Sequence, residues 1–293
     1  MKKFLESEIP DLPAEECFFH VICAPIEETV SYGGGTGRGP QAILDASDQL
    51  EAFDGTNCPC DLGIHTVENK KPPCNGFQTL EDIEAEVSNA WKNGKFPFVL
   101  GGEHTVTLGA LRALKAAGEE FGVIQFDAHA DLRDEYEGSK LSHACVMRRA
   151  VEDLGLPLFQ IGVRALSLEE HEYRKAKGIA FSRDWKGIPD DFPEKVYITF
   201  DVDGLDPSAM PSTGTPVPDG LSWREAFQCL ENLAGGGSAP LQCVESNGVQ
   251  AQPARKIIAA DVVELAPIDG LHAPDFGAAQ LVYKIMGLAA RSR

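Results

Sequence analysis

Phe121-Gly122-Val123-Ile124-Gln125-Phe126-Asp127-Ala128-His129-Ala130-Asp131 is an apolar run that ends in a cluster of ionisable side chains. The run has the length and composition of a buried β-strand. Two further stretches share the design. Residues 96–100 lead into Gly101-Gly102-Glu103-His104, and residues 195–200 lead into Asp201-Val202-Asp203. In an open parallel α/β sheet, ligands bind beyond the carboxyl ends of the strands. Residues as far apart in sequence as His104 and Asp203 therefore meet in one cleft.

Six side chains in these clusters are candidate metal ligands: His104, Asp127, His129, Asp131, Asp201 and Asp203. On an extended backbone, side chains two residues apart point the same way. Asp127, His129 and Asp131 are thus expected on one face, as are Asp201 and Asp203, with Ala128, Ala130 and Val202 packing on the other. A single Asp-x-Asp after a strand is commonly a cap or turn. Recurrence of the pattern after three strands favours a metal site instead. Four carboxylates and two neutral imidazoles leave about four negative charges in a half-buried cleft, at a cost of several kcal/mol per unpaired ion. Two divalent cations offset that charge. Hard oxygen donors with a few imidazoles suit manganese better than the thiolate-rich sets that select zinc.

Strands alternate with helices along the chain. Strands are expected at 17–24, 61–65, 96–100, 121–126, 157–162, 179–182, 196–200 and 256–263, and helices at 40–53, 80–93, 105–117, 144–154, 168–176, 223–234 and 277–289. Ser167 with Glu170 and Ser222 with Glu225 form capping-box patterns ahead of two of the helices. The alternation predicts a three-layer α/β/α fold with a mainly parallel sheet of about eight strands. No linker or repeat divides residues 1–293, so one domain is expected.

The formal charge of −19 argues against nucleic acid or an anionic membrane as a partner and is compatible with a cationic substrate. No apolar run of transmembrane length occurs, and Met1–Glu8 lacks the apolar segment of a signal peptide, so a cytoplasmic location is expected. Cys17, Cys23, Cys145, Cys229 and Cys243 read as small core residues. Cys58, Cys60 and Cys74, in polar Pro-rich sequence, read as exposed reduced thiols. Gly37-Arg38-Gly39-Pro40-Gln41-Ala42 loosely fits a dinucleotide fingerprint, but it lies too far beyond the preceding strand. Pro40 there suits the first turn of a helix. Gly235-Gly236-Gly237 reads as a helix stop.

The three clusters also carry a family likeness. Gly101-Gly102-Glu103-His104-Thr105, Phe126-Asp127-Ala128-His129-Ala130-Asp131 and the segment from Thr199 through Asp201-Val202-Asp203-Gly204-Leu205-Asp206 to Pro207 resemble the signature motifs of the ureohydrolases, which include arginases, agmatinases and formimidoylglutamases. Ser142-His143, Gly214-Thr215-Pro216, Asp261-Val262-Val263-Glu264 and the glycine-rich stretch 32–40 add to the likeness, which runs from about residue 17 to 288. It implies two manganese ions per chain. One takes His104, Asp127, Asp131 and Asp201; the other takes Asp127, His129, Asp201 and Asp203. It further implies that Glu264 pairs with the substrate guanidinium, that Asp131 also passes a proton, and that His143 exchanges protons with solvent. The stretch 32–40 is implied to line the entrance, and the chain to assemble as a homo-oligomer, trimer or hexamer.

A bound pair of divalent ions lowers the pKa of water and so supplies a nucleophile at neutral pH. A guanidinium carbon is a poor electrophile and must be positioned and stabilised as it reacts. Arg133 stands where arginases have an asparagine that helps recognise the α-carboxylate, and residues 134–142 lack the arginase run that follows. The likeness is therefore nearer to agmatinases, which convert agmatine to putrescine and urea in polyamine biosynthesis. Aminopropylagmatine, arginine, a guanidino acid and formimidoylglutamate are the alternatives. Arg133 either reads a carboxylate or is held away by Asp134 and Glu135, and the second is expected. A binuclear phosphoesterase lacks its Asn-His-Glu cluster here, and a catalytically silent relative would have lost a ligand.

Overall fold

The computed structural model describes residues 2–67, 79–183, 187–235 and 254–293. Eight strands of these residues form one sheet: β1 (Phe19–Ala24), β2 (Ile64–Thr66), β3 (Phe96–Gly101), β4 (Gly122–Phe126), β5 (Leu158–Ile161), β6 (Ala180–Ser182), β7 (Lys195–Asp201) and β8 (Lys256–Val263). Their spatial order is β2-β1-β3-β8-β7-β4-β5-β6, and every pairing is parallel. The chain leaves the sheet's centre at β3, crosses to β4, builds out to β6, and returns to insert β7 and β8 between them. Four adjacent strands, β3, β8, β7 and β4, thus end side by side. Each of the four delivers an ionisable cluster at its carboxyl end.

Among the described residues, seven α-helices cover the sheet: α1 (Gly39–Ser47), α2 (Leu80–Lys92), α3 (Val106–Ala116), α4 (Val146–Glu152), α5 (Leu168–Lys177), α6 (Trp223–Leu233) and α7 (His272–Arg291). Strand alternation sorts the core into two layers. Phe96, Phe98 and Leu100 of β3 pack with Ile43 and Leu44 of α1 and with buried residues of α6 and α7. Val99 packs on the opposite face with Ile83 and Val87 of α2 and Leu108 and Leu111 of α3. Burying each such large apolar side chain contributes about 1.5–3 kcal/mol. The expected three-layer α/β/α arrangement is therefore present. Among the described residues, no helix is long and apolar enough to cross a membrane.

Both capping boxes form, with Ser167 and Ser222 accepting from the backbone of Glu170 and Glu225. Two helices depart from their expected bounds by five residues or more. α1 ends at Ser47, whose hydroxyl turns back to donate to the Leu44 carbonyl and accepts from Leu5 N. That tertiary anchor, invisible to a periodicity count, stops the helix before residue 53. α7 begins at His272, ahead of the expected Gly277, with Pro274 in its first turn, where a missing N–H costs nothing. Cys58 and Cys60 are reduced but half-buried, since the turn Pro59–Leu62 packs against Tyr283; the expected exposure does not hold. Gly235, at φ 74°, ends α6 as expected. Cys74, Cys243, Gly236 and Gly237 lie outside the described residues.

One turn locks the sheet centre to the site. Gly102 N donates to Ala24 O, Glu103 N to Ile26 O, and Glu264 N to Gly102 O. A Cβ at Gly102 would lie 2.0 Å from the Ile26 carbonyl oxygen, so the turn requires glycine there. Gly102→Ala should therefore lower stability by about 1–3 kcal/mol or more, the range for forced overpacking. Thermal and urea denaturation would measure this, and an unchanged melting temperature would show that the turn can relax.

Candidate metal centre

The six expected ligands converge, although not by strand alternation alone. Asp201 is the last residue of β7, but Val202–Gly204 coil into a 3-10 turn. Asp203 is brought beside Asp201 because Asp201 Oδ1 accepts from Asp203 N at 2.8 Å. Asp131 adopts φ 52°, in the left-handed region, and so leaves the extended path expected for residues 127–131. Side chains that must surround a point need backbone that turns around it, and a straight strand cannot provide that. Ala128, Ala130 and Val202 are fully buried, as their alternation required.

Two groups of side chains can hold ions: His104, Asp127 and Asp201, and Asp127, His129 and Asp203, with Asp127 common to both. Asp131 stands against the first group, its Oδ2 2.9 Å from His104 Nδ1. His104 Nδ1 also lies 3.2 Å from Asp127 and 3.5 Å from Asp201, while His129 Nδ1 lies 2.9 Å from Asp203. Despite these neighbours, buried His104 Nδ1 has no contact of hydrogen-bond geometry among the described residues. A buried ring nitrogen aimed at three carboxylates without a hydrogen bond fits a metal ligand. The oxygen and imidazole donor set fits a hard or borderline divalent ion.

Three of the candidate ligands, His104, Asp127 and Asp203, are held from behind. His104 Nε2 meets Thr199 Oγ1 at 2.8 Å, Thr199 meets Thr107 at 3.3 Å, and Thr107 and Tyr197 both donate to Asp261 Oδ2 at 2.7 Å. With Nε2 donating to Thr199, Nδ1 is left to face the carboxylates. Gln125 Nε2 donates to Asp127 Oδ2 at 2.6 Å and is itself engaged by Gln160. The backbone N–H groups of His129 and Ala128 donate to Asp127 and Asp203. Gln125 and Gln160 interrupt otherwise apolar buried strands, and a polar residue so placed is the sequence signal of a hydrogen-bonded layer behind the site.

Charge is poorly balanced in the protein alone. Burial, reinforced by Asp127, pushes Asp131 up to about 7; burial with Asp203 and Asp127 raises Asp201 well above the carboxylate range. Burial opposes a charged His129, yet contacts with Asp127 and Asp203 outweigh it and lift that ring to about 11. The groups thus take up protons to offset their mutual repulsion, and divalent cations would fill that need.

Glu264 directly follows β8 at φ 65°, buried, with Oε1 accepting from His104 N at 2.6 Å. Among the described residues no group hydrogen-bonds its Oε2. His143 opens a 3-10 turn capped by Ser142. Both line a cavity of about 370 Å³ together with His104, His129, Asp131, Asp201 and Asp203. Its outer wall includes Tyr32, Gly33, Arg133, Tyr136, Glu170 and Gly214. The stretch 32–40 thus contributes to the rim, with Glu27 accepting from Gly35 N and Gly37 N to fold it. Gly33 and Gly214 meet across the rim so closely that a Cβ on Gly33 would lie 2.8 Å from Gly214 O.

Arg133 is not held by Asp134, contrary to expectation. Asp134 pairs with Arg149 at 2.6 Å and Lys140 at 3.3 Å, and Glu135 is exposed. Arg133 instead lies 3.9 Å from Glu170 and over the Tyr136 ring, 5.0 Å from its centre. Glu170, anchored by the N–H groups of Leu132 and Ser167, was read from the sequence only as a capping residue. Tyr136 gave no sequence signal.

Comparison with known proteins accords with this geometry. Residues 18–287 match the Arginase family. The chain belongs to the arginase family. An N(1)-aminopropylagmatine ureohydrolase from Synechocystis sp. is 38% identical, with 100% of this chain and 95% of that protein aligned. One from Thermus thermophilus is 35% identical, covering 95% and 92%. The crystal structure of agmatine ureohydrolase of Thermoplasma volcanium superposes with a TM-score of 0.79 at 29% identity, covering 99% of this chain and 95% of that one.

Members of the arginase family with such a charge arrangement should gain stability from divalent cations. At a hundredfold excess over Kd, a single ion contributes about 2.7 kcal/mol. Melting curves of chelator-stripped protein with and without manganese should show an upward shift of several degrees. A superimposable pair of curves would argue against a metal centre.

Proposed function

We propose that this arginase-family chain is a ureohydrolase for linear guanidines with an amine tail. N1-aminopropylagmatine is the first choice and agmatine the second, each giving urea and the corresponding amine. The observation that carries the reading is Glu264, a buried carboxylate anchored to His104 N on the cavity wall beside the ligand cluster. A planar guanidinium is the natural counter-ion for a carboxylate with a fixed orientation. The sequence motifs favour agmatine; the relatives named for aminopropylagmatine move the preference to the longer amine.

In this reading His104, Asp127, Asp131 and Asp201 would hold one manganese ion, and Asp127, His129, Asp201 and Asp203 the other. When bound, the pair supplies a Lewis acid and water made nucleophilic at neutral pH. The chain's own groups do the remainder. Glu264 fixes the guanidinium over the cluster and offsets its charge. Asp131, beside His104, takes a proton and returns it to the leaving amine. His143, on the cavity wall, exchanges protons with solvent; burial holds its imidazole below the ordinary value, so it is neutral and able to accept.

The tail is read at the rim. Arg133 spends its charge on Glu170 and the Tyr136 face, so a cationic tail is not confronted by an unpaired guanidinium. The same engagement leaves Arg133 less able to capture a substrate carboxylate. A charge-assisted pair contributes roughly 1.5–3 kcal/mol, so amine-tailed substrates should exceed arginine and guanidinobutyrate by about one to two powers of ten in kcat/KM. Urea release from all four compounds by the manganese-loaded enzyme tests this. A preference for arginine or the guanidino acid would show that Arg133 reads a carboxylate.

Glu264→Gln separates binding chemistry from metal binding. Turnover should fall about 10²-fold or more, as on loss of a preorganised electrostatic contact, while elemental analysis still finds the wild-type manganese content. Wild-type turnover in that variant would refute the assignment.

A further inference from the structure

Glu103 follows Gly102 and precedes the candidate ligand His104, yet its carboxylate belongs to neither ion group. It is buried and turned toward the loop after β1. Oε2 accepts from Glu28 N at 2.7 Å and Thr29 N at 2.6 Å, and Oε1 accepts from the Thr29 hydroxyl at 2.9 Å. Thr29 Oγ1 then meets His143 twice: it accepts from His143 N at 3.0 Å and lies 3.1 Å from His143 Nδ1.

Counting hydrogens decides what passes between the last two atoms. A threonine hydroxyl has one hydrogen and two lone pairs. A carboxylate only accepts, so the hydrogen of Thr29 is committed to Glu103. One lone pair takes His143 N–H. The other faces Nδ1, and a bare Nδ1 there would set lone pair against lone pair at 3.1 Å. Nδ1 must therefore carry the proton. Ser142 Oγ is the rival partner of Nδ1, but it stands farther away at 3.4 Å and cannot remove that clash.

We infer that Glu103 and Thr29 are positioning residues that lock neutral His143 in the Nδ1–H tautomer, leaving Nε2 bare as its proton-accepting atom. The inference deepens the reading of His143 as a proton carrier and rests on it for its catalytic consequence. A general base must present a lone pair where the proton arrives. In serine hydrolases, an imidazole held in the wrong tautomer loses most of its catalytic value. Here a carboxylate sets the tautomer through an intervening hydroxyl.

Glu103→Gln gives a specific expectation. If the Gln carbonyl keeps the two backbone N–H groups, its NH2 points at Thr29 Oγ1. The two lone pairs of Thr29 are then filled by that NH2 and by His143 N–H. Its hydrogen is forced onto Nδ1, and His143 changes to the Nε2–H tautomer.

The experiment is 15N NMR of histidine-labelled enzyme loaded with diamagnetic Zn2+, above neutral pH, with the His143 ring assigned by its loss in His143→Asn. Wild type should show a protonated Nδ1 and bare Nε2, and Glu103→Gln the reverse at unchanged zinc content. A second pair guards against a folding defect in that variant. Thr29→Val should lower kcat of the manganese enzyme by about 10²-fold, the scale of general acid–base catalysis, with KM little changed, and Thr29→Ser should restore it. A wild-type ring with bare Nδ1, or a folded Glu103→Gln whose tautomer is unchanged, would overturn the inference. The expected tautomers with undiminished kcat in Thr29→Val would uphold the lock and refute His143 as the proton carrier.

Discussion

Repulsion among buried carboxylates governs this molecule. Asp127, Asp131, Asp201, Asp203 and Glu264 are all buried in one cluster, on the ends of neighbouring strands. An arrangement of that kind is unstable unless each oxygen is assigned a partner and positive charge is added. The structure provides the first requirement through backbone N–H groups, Gln125 and the histidines. It leaves the second to cations. The rigidity of the sheet centre, with its core layers on both faces and its glycine turn against Ile26, follows as the means of keeping like charges together.

Parallel strands make such crowding possible. Because β7 and β8 are inserted between β3 and β4, clusters far apart in the chain become lateral neighbours. Hydrogen bonding then runs across the strands behind the site. The chain from His104 through Thr199 and Thr107 to Asp261 crosses β7, α3 and β8. The candidate ligand His104 is in this way tied to a buried acid that does not line the cavity. Metal affinity at such a centre would accordingly be a property of the sheet as well as of the loops at its edge.

Much of this was legible in the sequence because strands and ligands are local signals. The apolar runs before Asp127, His104 and Asp201 located β4, β3 and β7, and β8 matches its expected bounds at Lys256–Val263. What could not be read were features settled by distant contacts. The left-handed backbone of Asp131 and the 3-10 turn at Val202–Gly204 both exist to bend ligands around a point, and no periodicity encodes them. The engagement of Asp134 by Arg149, which frees Arg133 for Glu170, is likewise a product of how α4 packs. Glu103 sat inside a recognised motif, but its destination, the loop at Glu28 and Thr29, is distant in sequence.

The meeting of Gly33 and Gly214 has an evolutionary consequence. The aperture of the cavity is set there by two backbones in contact, with no side chain between them. A single methyl group on either residue would wedge the loops apart while leaving every ligand untouched. Divergence at this seam could therefore alter which molecules gain admission, and how quickly products escape, without rebuilding the chemistry beneath. Selection has a hinge for exploring new substrates that is independent of the reacting centre.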